Sequence, residues 1–131
     1  MEFQLPAGAA APALARATLT AVAHPPPEVA GDVLLLTSEV VTNAIRHSGS
    51  APLDDVIIRV YPREDAVRVE VLNPGPSFDP QIPASPSRTG TGLGLFLVDA
   101  LASRWGVEAE DGRTKVWFEV PIARGADAAA G

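Results

Sequence analysis

The residue types and spacing within residues 38–47 could support chemistry. Glu39 and Asn43 lie four residues apart in a strongly helical stretch, and side chains at positions i and i+4 share one face of a helix. A carboxylate there can act as a general base, and an amide oxygen is a suitable hard ligand for Mg²⁺. Spacing alone favours the plainer interpretation of a solvated helix flank, because both residue types are common on protein surfaces.

A glycine-rich segment further along the chain has the character of an anion site. Arg88 precedes three glycines at alternate positions, Gly90, Gly92 and Gly94, where a helix is predicted to start. Unpaired N–H groups at a helix N-terminus bind phosphate, and glycine lets the backbone approach it closely. The segment lacks a P-loop lysine and follows no predicted strand, so neither a Walker nor a Rossmann motif is indicated. Together with residues 38–47, it suggests nucleotide binding and phosphoryl transfer.

A third candidate segment begins at Asn73, directly after a strand that reads as buried. The amide of Asn73 offers an acceptor oxygen that could take the exocyclic amine of adenine. Gly75 would let the backbone approach a flat base. The alternative is an ordinary Asn-Pro-Gly turn, and the residue types alone favour that alternative.

A small set of helices and strands must position these residues. Predicted helices cover residues 13–22, 27–47 and 92–103, and predicted strands cover residues 2–5, 56–61, 66–72, 105–110 and 114–121. Asp111-Gly112 is a favourable pair for the turn between the last two strands. The order of elements predicts an α+β fold, a two-layer sandwich in which helices cover one face of a mixed, mostly antiparallel sheet.

Apolar spacing predicts which helix faces are buried. Five residues of the second helix share one face and are predicted to enter the core: Val29, Val33, Leu36, Val40 and Ala44. Glu39 and Asn43 lie on the flank of this stripe, where a buried face would meet a polar cleft. In the third helix the predicted core residues are Leu93, Leu95, Phe96, Val98 and Leu101.

Length and composition exclude several classes of protein. The 131 residues suit one domain, predicted as residues 1–122 followed by a disordered tail at 123–131. The net charge of −6 and the absence of a basic run argue against nucleic acid or an anionic membrane as the main partner. The chain has no cysteine, which excludes disulfides and thiolate metal sites. It has no membrane-spanning apolar run and no signal-peptide pattern, so we expect a cytoplasmic protein.

Taken together, the motifs resemble the ATP-binding domain that histidine kinases share with DNA gyrase, the GHKL or Bergerat-type fold. Glu39-x-x-x-Asn43 resembles the N box of that family, and Asn73-x-Gly75 resembles its Asp-x-Gly-x-Gly box. The glycine segment at residues 90–94 resembles its second glycine box, and the order and spacing of the boxes match. The stretches LLLTSEVVTNAIRHS and GTGLGLFLVDALASRWGV are similar to the stand-alone anti-sigma factor serine kinases of the RsbW type.

The resemblance implies a role for each motif. Glu39 would be the general base on the hydroxyl of a partner's serine or threonine. Asn43 would ligate a Mg²⁺ ion that bridges the phosphates of ATP. Asn73, Gly75 and Thr114 would hold adenine. The lid and phosphate cradle would comprise Arg88, Gly90, Gly92, Leu93 and Gly94.

The resemblance also implies partners. The substrate would be a STAS-domain anti-sigma factor antagonist, a sigma factor would be the other partner, and homodimerisation would be expected. The sequence departs from the family pattern at Asn73, where aspartate is usual, and at Ser77, where the pattern has glycine. An amide retains an acceptor oxygen, but the charge-assisted bond to the adenine amine is lost.

Two classes of function follow. The first is an ATP- and Mg²⁺-dependent serine/threonine protein kinase that acts in partner switching. The second is a non-catalytic regulator that binds a sigma factor or STAS protein and binds nucleotide weakly or not at all. A histidine kinase is disfavoured, because the chain has no long dimerising helix with a phosphoacceptor histidine, and His24 lies in a proline-rich turn.

Overall fold

The computed structural model describes residues 1–48, 55–73 and 93–122. Within these ranges, the strands and helices follow one another in the predicted order. In chain order they are β1 (Glu2–Pro6), α1 (Ala11–Ala23), α2 (Pro27–Ser48), β2 (Asp55–Pro62), β3 (Ala66–Leu72), α3 (Leu93–Leu101), β4 (Arg104–Glu110) and β5 (Arg113–Pro121). The predicted disordered tail, residues 123–131, lies outside the described residues, and the predicted domain boundary stays a prediction.

Local sequence explains where the first two helices begin and end. α1 has a proline in its first turn, where no N–H is needed, and it ends at His24, whose backbone is left-handed with φ of 46°. The prolines that follow His24 prevent the helix from continuing. α2 then begins at Pro27, and Glu28 in its first turn lies near the positive end of the helix dipole.

The strands form one sheet in the order β1-β2-β3-β5-β4, and every pairing between described strands is antiparallel. Both predicted hairpins are present. The second turns at Asp111 and Gly112, with φ values of 52° and 78°, the positive values that a two-residue hairpin turn requires. The predicted α+β class is therefore confirmed. The adjacency of β3 and β5, which are far apart in the chain, brings two hairpins into one sheet.

The helices pack on one face of this sheet and enclose the core. Alternate residues of the strands point toward them, including Ile58 on β2, Val69 on β3 and Phe118 on β5, all fully buried. The predicted stripe on α2 is buried as expected, with Val33 and Leu36 completely inaccessible. In α3, Leu95 and Val98 are buried, whereas Phe96 and Leu101 are only partly covered. Burial of this apolar surface is the main stabilising contribution to the fold.

The opposite face of the sheet carries charged side chains instead of helices. We call this the charged face; it comprises Arg59, Arg68, Glu70, Arg104, Glu108, Glu110, Lys115, Trp117 and Glu119. Arg68 contacts both Glu70 and Glu119 at 3.0 Å, and its guanidinium lies 4.1 Å from the ring centroid of Trp117. Trp117 in turn covers Gly106, where an added Cβ would come within 2.7 Å of the indole nitrogen. Long side chains that pair with one another thus shield this face from water.

The ion pairs of the charged face favour ionisation of their carboxylates. Hydrogen bonds from Arg104, and then from Arg68, hold the pKa of Glu119 below its ordinary value despite burial. The pKa of Glu110 is lowered mainly by its hydrogen bond from Arg59, whose nitrogen lies 2.7 Å from the carboxylate. Glu70 and Glu119 are nonetheless only 6% exposed. Such deeply placed carboxylates are tolerated because arginines satisfy them.

Candidate functional site

The flank of α2 presents two polar side chains beside the core. Asn43 is buried at 7% exposure, and Glu39, one turn earlier, is half-buried. The neighbouring hydroxyls bond within the helix, since Ser38 donates to the carbonyl of Leu35 at 3.0 Å and Thr42 to the carbonyl of Ser38 at 2.8 Å. Neither Glu39 nor Asn43 makes a side-chain bond to another described residue. Their oxygens are therefore the polar groups that this flank offers to a ligand.

A second polar pair lies on the helix side of the sheet, where β3 ends and β5 begins. The backbone N–H of Asn73 donates to the carbonyl of Thr114 at 2.9 Å. The backbone N–H of Thr114 in turn donates to Oδ1 of Asn73, also at 2.9 Å. These two bonds extend the β3–β5 ladder by one residue pair and fix the Asn73 side chain. Both residues are almost fully buried, at 1% and 2% exposure.

Three buried polar atoms on the helix side lack a hydrogen-bond partner among the described residues. They are Nδ2 of Asn73, Oγ1 of Thr114 and Oγ1 of Thr37. A buried donor or acceptor without a partner costs roughly 1–3 kcal/mol, so native proteins contain few of them and each calls for an explanation. Two of the three are side-chain atoms of one contacting pair. A ligand that contacts this pair would satisfy both atoms together.

A short connection joins the end of α2 to the strand that pairs beside Asn73. The start of β2 lies beside the end of β3, since Ile57 pairs with Leu72. Six residues, 49–54, connect α2 to β2, which limits the separation of their ends to about 25 Å. Asn43 lies five residues before the end of α2, about 7.5 Å along the axis. α2 packs directly on β3 and β5, the two strands at whose paired ends Asn73 and Thr114 lie.

Several predicted site residues lie outside the described part of the chain. Gly75, Arg88, Gly90 and Gly92 are in this group, and their predicted roles in holding adenine and phosphate stay predictions. α3 begins at Leu93, so Leu93 and Gly94 form its first turn, as expected for a helix that follows the glycine segment. That turn has no acidic residue that would compete with an anion for its N–H groups. α3 packs against α2, beside the helix that carries Glu39 and Asn43.

Thr37 is a residue that sequence reasoning missed. Its side chain is completely buried on α2 and, as noted above, its hydroxyl has no partner among the described residues. A threonine on an apolar helix face commonly bonds back to a carbonyl of the preceding turn, so spacing alone gives no reason to single it out. Its unpaired hydroxyl becomes visible only in the folded chain.

An apolar cavity of about 320 Å³ lies elsewhere, between α2 and the turn that joins β1 to α1. It is lined by Gly8, Ala9, Pro12, Thr42 and Ile45. Its lining includes none of the unpaired polar atoms and neither Glu39 nor Asn43. Convergent polar groups mark functional pockets better than volume does, so we place the candidate site on the helix side of the sheet at Asn73 and Thr114.

In the described part of the chain, no cluster of three or more histidine, cysteine or acidic side chains could hold a metal ion. None of the helices in that part is both long and apolar enough to cross a membrane.

A comparison with protein-family models matches residues 5–120 to the histidine kinase-like ATPase domain family. Among curated proteins, the serine-protein kinase RsbW of Staphylococcus aureus is 31% identical over 132 aligned positions, which cover 87% of this chain and 82% of that protein. An uncharacterized protein of Streptomyces coelicolor is 38% identical over 83 residues, covering 63% of this chain and 78% of the other.

Solved structures share the fold. The RsbU and RsbW domains of a Mycobacterium tuberculosis protein superpose with a TM-score of 0.61 at 18% identity, covering 93% of this chain and 32% of that chain. The histidine kinase domain of a blue-light activated histidine kinase from Erythrobacter litoralis gives a TM-score of 0.55 at 22% identity, covering 92% and 63%. This chain therefore spans about a third of the first solved chain and under two thirds of the second. At these identities the likeness concerns the fold alone.

Proposed function

The chain belongs to the histidine kinase-like ATPase domain family, and on this basis we propose that it is a nucleotide- and Mg²⁺-dependent serine/threonine protein kinase of the anti-sigma factor type, with ATP as the nucleotide that the family implies. The predicted RsbW-like resemblance is confirmed, and the coarser assignment to that kinase family stands with it. The activity, the nucleotide site and the partners are our proposal. The observation that carries it is the pair of buried polar atoms on Asn73 and Thr114 that lack a partner among the described residues; in this proposal Asn43 and Glu39 serve the same site.

The described residues fit a purine nucleotide with its metal ion. The base would lie against Asn73 and Thr114, where buried polar atoms need hydrogen-bond partners. The amide oxygen of Asn43 is the type of hard donor that Mg²⁺ prefers, and phosphates together with water would supply the other ligands. When bound, the ion neutralises charge on the transferring phosphoryl group. The first turn of α3 would offer N–H groups to phosphate.

Glu39 would act on the protein substrate. Its carboxylate lies one helical turn from Asn43, so a hydroxyl placed near the terminal phosphate would also be near Glu39. The carboxylate would accept the proton as the serine or threonine oxygen forms its bond to phosphorus, while the bond to the leaving diphosphate oxygen breaks. Glu39 would hold and orient the attacking hydroxyl, and Asn43 would fix the phosphates beside it.

We propose a STAS-domain anti-sigma factor antagonist as the substrate and a sigma factor as the alternative partner. Support comes from family membership and from the likeness to the serine-protein kinase RsbW. In this arrangement phosphorylation of the antagonist would release it, and the kinase would then be available to the sigma factor.

Transfer of labelled γ-phosphate to a STAS-domain antagonist tests the proposal. Parallel reactions use labelled ATP and labelled GTP. A kinase that prefers guanine to adenine would transfer phosphate from GTP and would not be scored as inactive. Glu39→Ala should reduce transfer about 10²–10⁴-fold, the contribution typical of a general base, while nucleotide affinity is retained. Asp32→Ala is the matched control, because Asp32 is an exposed acidic residue on the same helix, and it should leave transfer unchanged. Transfer that survives Glu39→Ala would refute the catalytic assignment.

The non-catalytic regulator is a second candidate, favoured by one observation. Oδ1 of Asn73, the atom predicted to receive the adenine amine, already accepts the backbone N–H of Thr114. Adenine binding at this position would then lack the acceptor that an aspartate supplies. A chain that binds a STAS protein or sigma factor but gives no transfer from either labelled nucleotide would establish this second function.

A further inference from the structure

We propose that Asn73 sets the base preference of the nucleotide site, and that it selects a 6-oxopurine such as hypoxanthine or guanine over adenine. The inference rests on the proposed function, in which Asn73 and Thr114 hold a purine base. It concerns the identity of the base, which the resemblance to ATP-binding proteins does not determine for a chain with asparagine at this position.

The orientation of the Asn73 amide is dictated by its neighbour. The backbone N–H of Thr114 lies 2.9 Å from the Asn73 side chain, and a backbone N–H can only donate a hydrogen bond. The atom that receives it must therefore be the amide oxygen, because the NH₂ group is also a donor. The usual ambiguity between the oxygen and nitrogen of an asparagine is thereby removed. The NH₂ group is the part of the amide that remains for a ligand.

Because the Asn73 amide is buried, its fixed orientation discriminates between bases. Asn73 is 1% exposed, and its Nδ2 has no partner among the described residues, so no group in that part of the chain compensates the donor. A base that places an acceptor against Nδ2 would remove the cost of the unpaired donor. A base that places an amine there would bring two donors together, its own NH₂ group and that of Asn73. A site with buried polar groups discriminates strongly against a ligand that leaves them unpaired.

Two adjacent polar groups also define which edge of the base is involved. Asn73 and Thr114 are joined by two hydrogen bonds, so a base in contact with both side chains must present neighbouring polar atoms. On the Watson–Crick edge of a purine these are the group at position 6 and N1. A 6-oxopurine presents an acceptor at position 6 and a donor at N1, and adenine presents the reverse.

Thr114 does not discriminate between these bases. Its hydroxyl is buried and unpartnered, but a hydroxyl can rotate to donate or to accept. It can accept from the N1–H of a 6-oxopurine or donate to N1 of adenine. Discrimination between the two kinds of base therefore depends on Asn73, whose amide is fixed. An aspartate at this position would keep one oxygen for the Thr114 N–H and present the other as an acceptor to the adenine amine.

Calorimetric titration with the Mg²⁺ complexes of ATP, ITP and GTP tests the inference. ITP is the matched probe, because it differs from ATP only at position 6 and N1. The wild-type chain should bind ITP and GTP roughly ten- to a hundredfold more tightly than ATP, and Asn73→Asp should reverse the order. Thr114→Val removes the hydroxyl but keeps the backbone N–H, so it should weaken all three nucleotides and leave the ITP-to-ATP ratio unchanged.

The outcomes separate this inference from the proposed function. Tighter binding of ATP than of ITP by the wild-type chain would overturn the base preference and leave the kinase proposal standing. Equal affinities that Asn73→Asp does not alter would reject any contact between Asn73 and the base. Absence of binding for all three nucleotides, in both wild type and Asn73→Asp and with unchanged thermal unfolding, would overturn the nucleotide site itself and the base preference with it.

Discussion

The two faces of the sheet differ in whether their buried polar side chains have hydrogen-bond partners. On the charged face, Glu70 and Glu119 are almost inaccessible, and arginine side chains satisfy both. On the helix side, Asn73 and Thr114 are equally inaccessible, yet each keeps a polar atom without a partner among the described residues. The same sheet thus pairs the buried carboxylates of one face and leaves two neutral side chains at the end of the other without partners in the described part of the chain.

Under the proposed function, the contrast distinguishes polar groups that stabilise the fold from polar groups that bind the ligand. Unpaired buried groups are destabilising, so their position identifies where a ligand would restore the missing bonds. On the charged face the indole N–H of Trp117 also lacks a partner in the described part of the chain, but its ring lies between Arg68 and Gly106 and contributes through packing. We therefore expect variants of the helix side to alter ligand binding and variants of the charged face to alter stability.

Asn43→Ala should give the largest effect on the helix side. It removes the proposed metal ligand, and because loss of outer-shell partners already costs 10–100-fold in metal affinity, affinity for Mg²⁺-nucleotide should fall by more than roughly 100-fold. Calorimetric titration measures the loss. Stability should change little, because the Asn43 side chain bonds to no other described residue. Unchanged nucleotide affinity would remove Asn43 from the metal site.

Glu119→Gln should have the converse effect on the charged face. It should lower the free energy of unfolding by roughly 1–3 kcal/mol at neutral pH, because it weakens the hydrogen bonds to Arg68 and Arg104, and nucleotide affinity should not change. Glu108→Gln is the matched control. Glu108 is exposed and pairs with Lys115 on the same face, so its loss should alter stability by less than about 1 kcal/mol.

The Glu119 effect should depend on pH. Its pKa is lowered in the folded chain, so its ionised form stabilises the fold above the unfolded pKa of about 4.3. That stabilisation is lost as the pH falls through the lower folded pKa. Denaturant unfolding should therefore show wild type and Glu119→Gln separated at pH 7 and converging below about pH 4. A constant difference over the whole range would show that the charge of Glu119 does not stabilise the fold.

Gly106→Ala should give a loss of stability of similar size on the charged face. An added Cβ would lie 2.7 Å from the Trp117 indole nitrogen, so the ring must shift and disturb its contact with Arg68, at a cost of roughly 1–3 kcal/mol. Gly31→Ala is a matched control in α2, where an added Cβ meets nothing within 4 Å and alanine should stabilise the helix by about 0.5–1 kcal/mol. Thermal unfolding compares the two variants. A stabilised Gly106→Ala would show that the indole packs loosely.

Local patterns in the sequence predicted most elements of the fold. The apolar stripe from Val29 to Ala44 identified the buried face of α2, and the Asp111-Gly112 pair identified the second hairpin turn. These features depend on interactions between residues close in the chain, which periodicity and turn propensity record. The spacing of Glu39 and Asn43 was informative for the same reason, since a helix brings positions i and i+4 together.

The relations between distant strands were not predictable from these patterns. Alternation along β5 shows which residues share a face, but it does not show that β5 lies beside β3. The bond from the Thr114 N–H to Asn73 depends on this adjacency and joins residues 41 positions apart. The pairing of Arg68 with Glu119 spans 51 positions. Sequence reasoning therefore proposed Asn73 as a candidate contact of the base. It did not predict that the oxygen of its amide already accepts a hydrogen bond from Thr114.

The most direct test of the account is an amide and indole spectrum of the ¹⁵N-labelled chain, titrated with Mg²⁺ and non-hydrolysable analogues of ATP and GTP. The side-chain NH₂ signal of Asn73, assigned by its loss in Asn73→Asp, reports on the helix side. The indole N–H signal of Trp117, assigned with Trp117→Phe, reports on the charged face. We predict that at least one analogue shifts the Asn73 signal together with the backbone amide of Thr114 and leaves the Trp117 indole unmoved. A shift of the Trp117 indole without a change at Asn73 and Thr114 would contradict a nucleotide site on the helix side of the sheet.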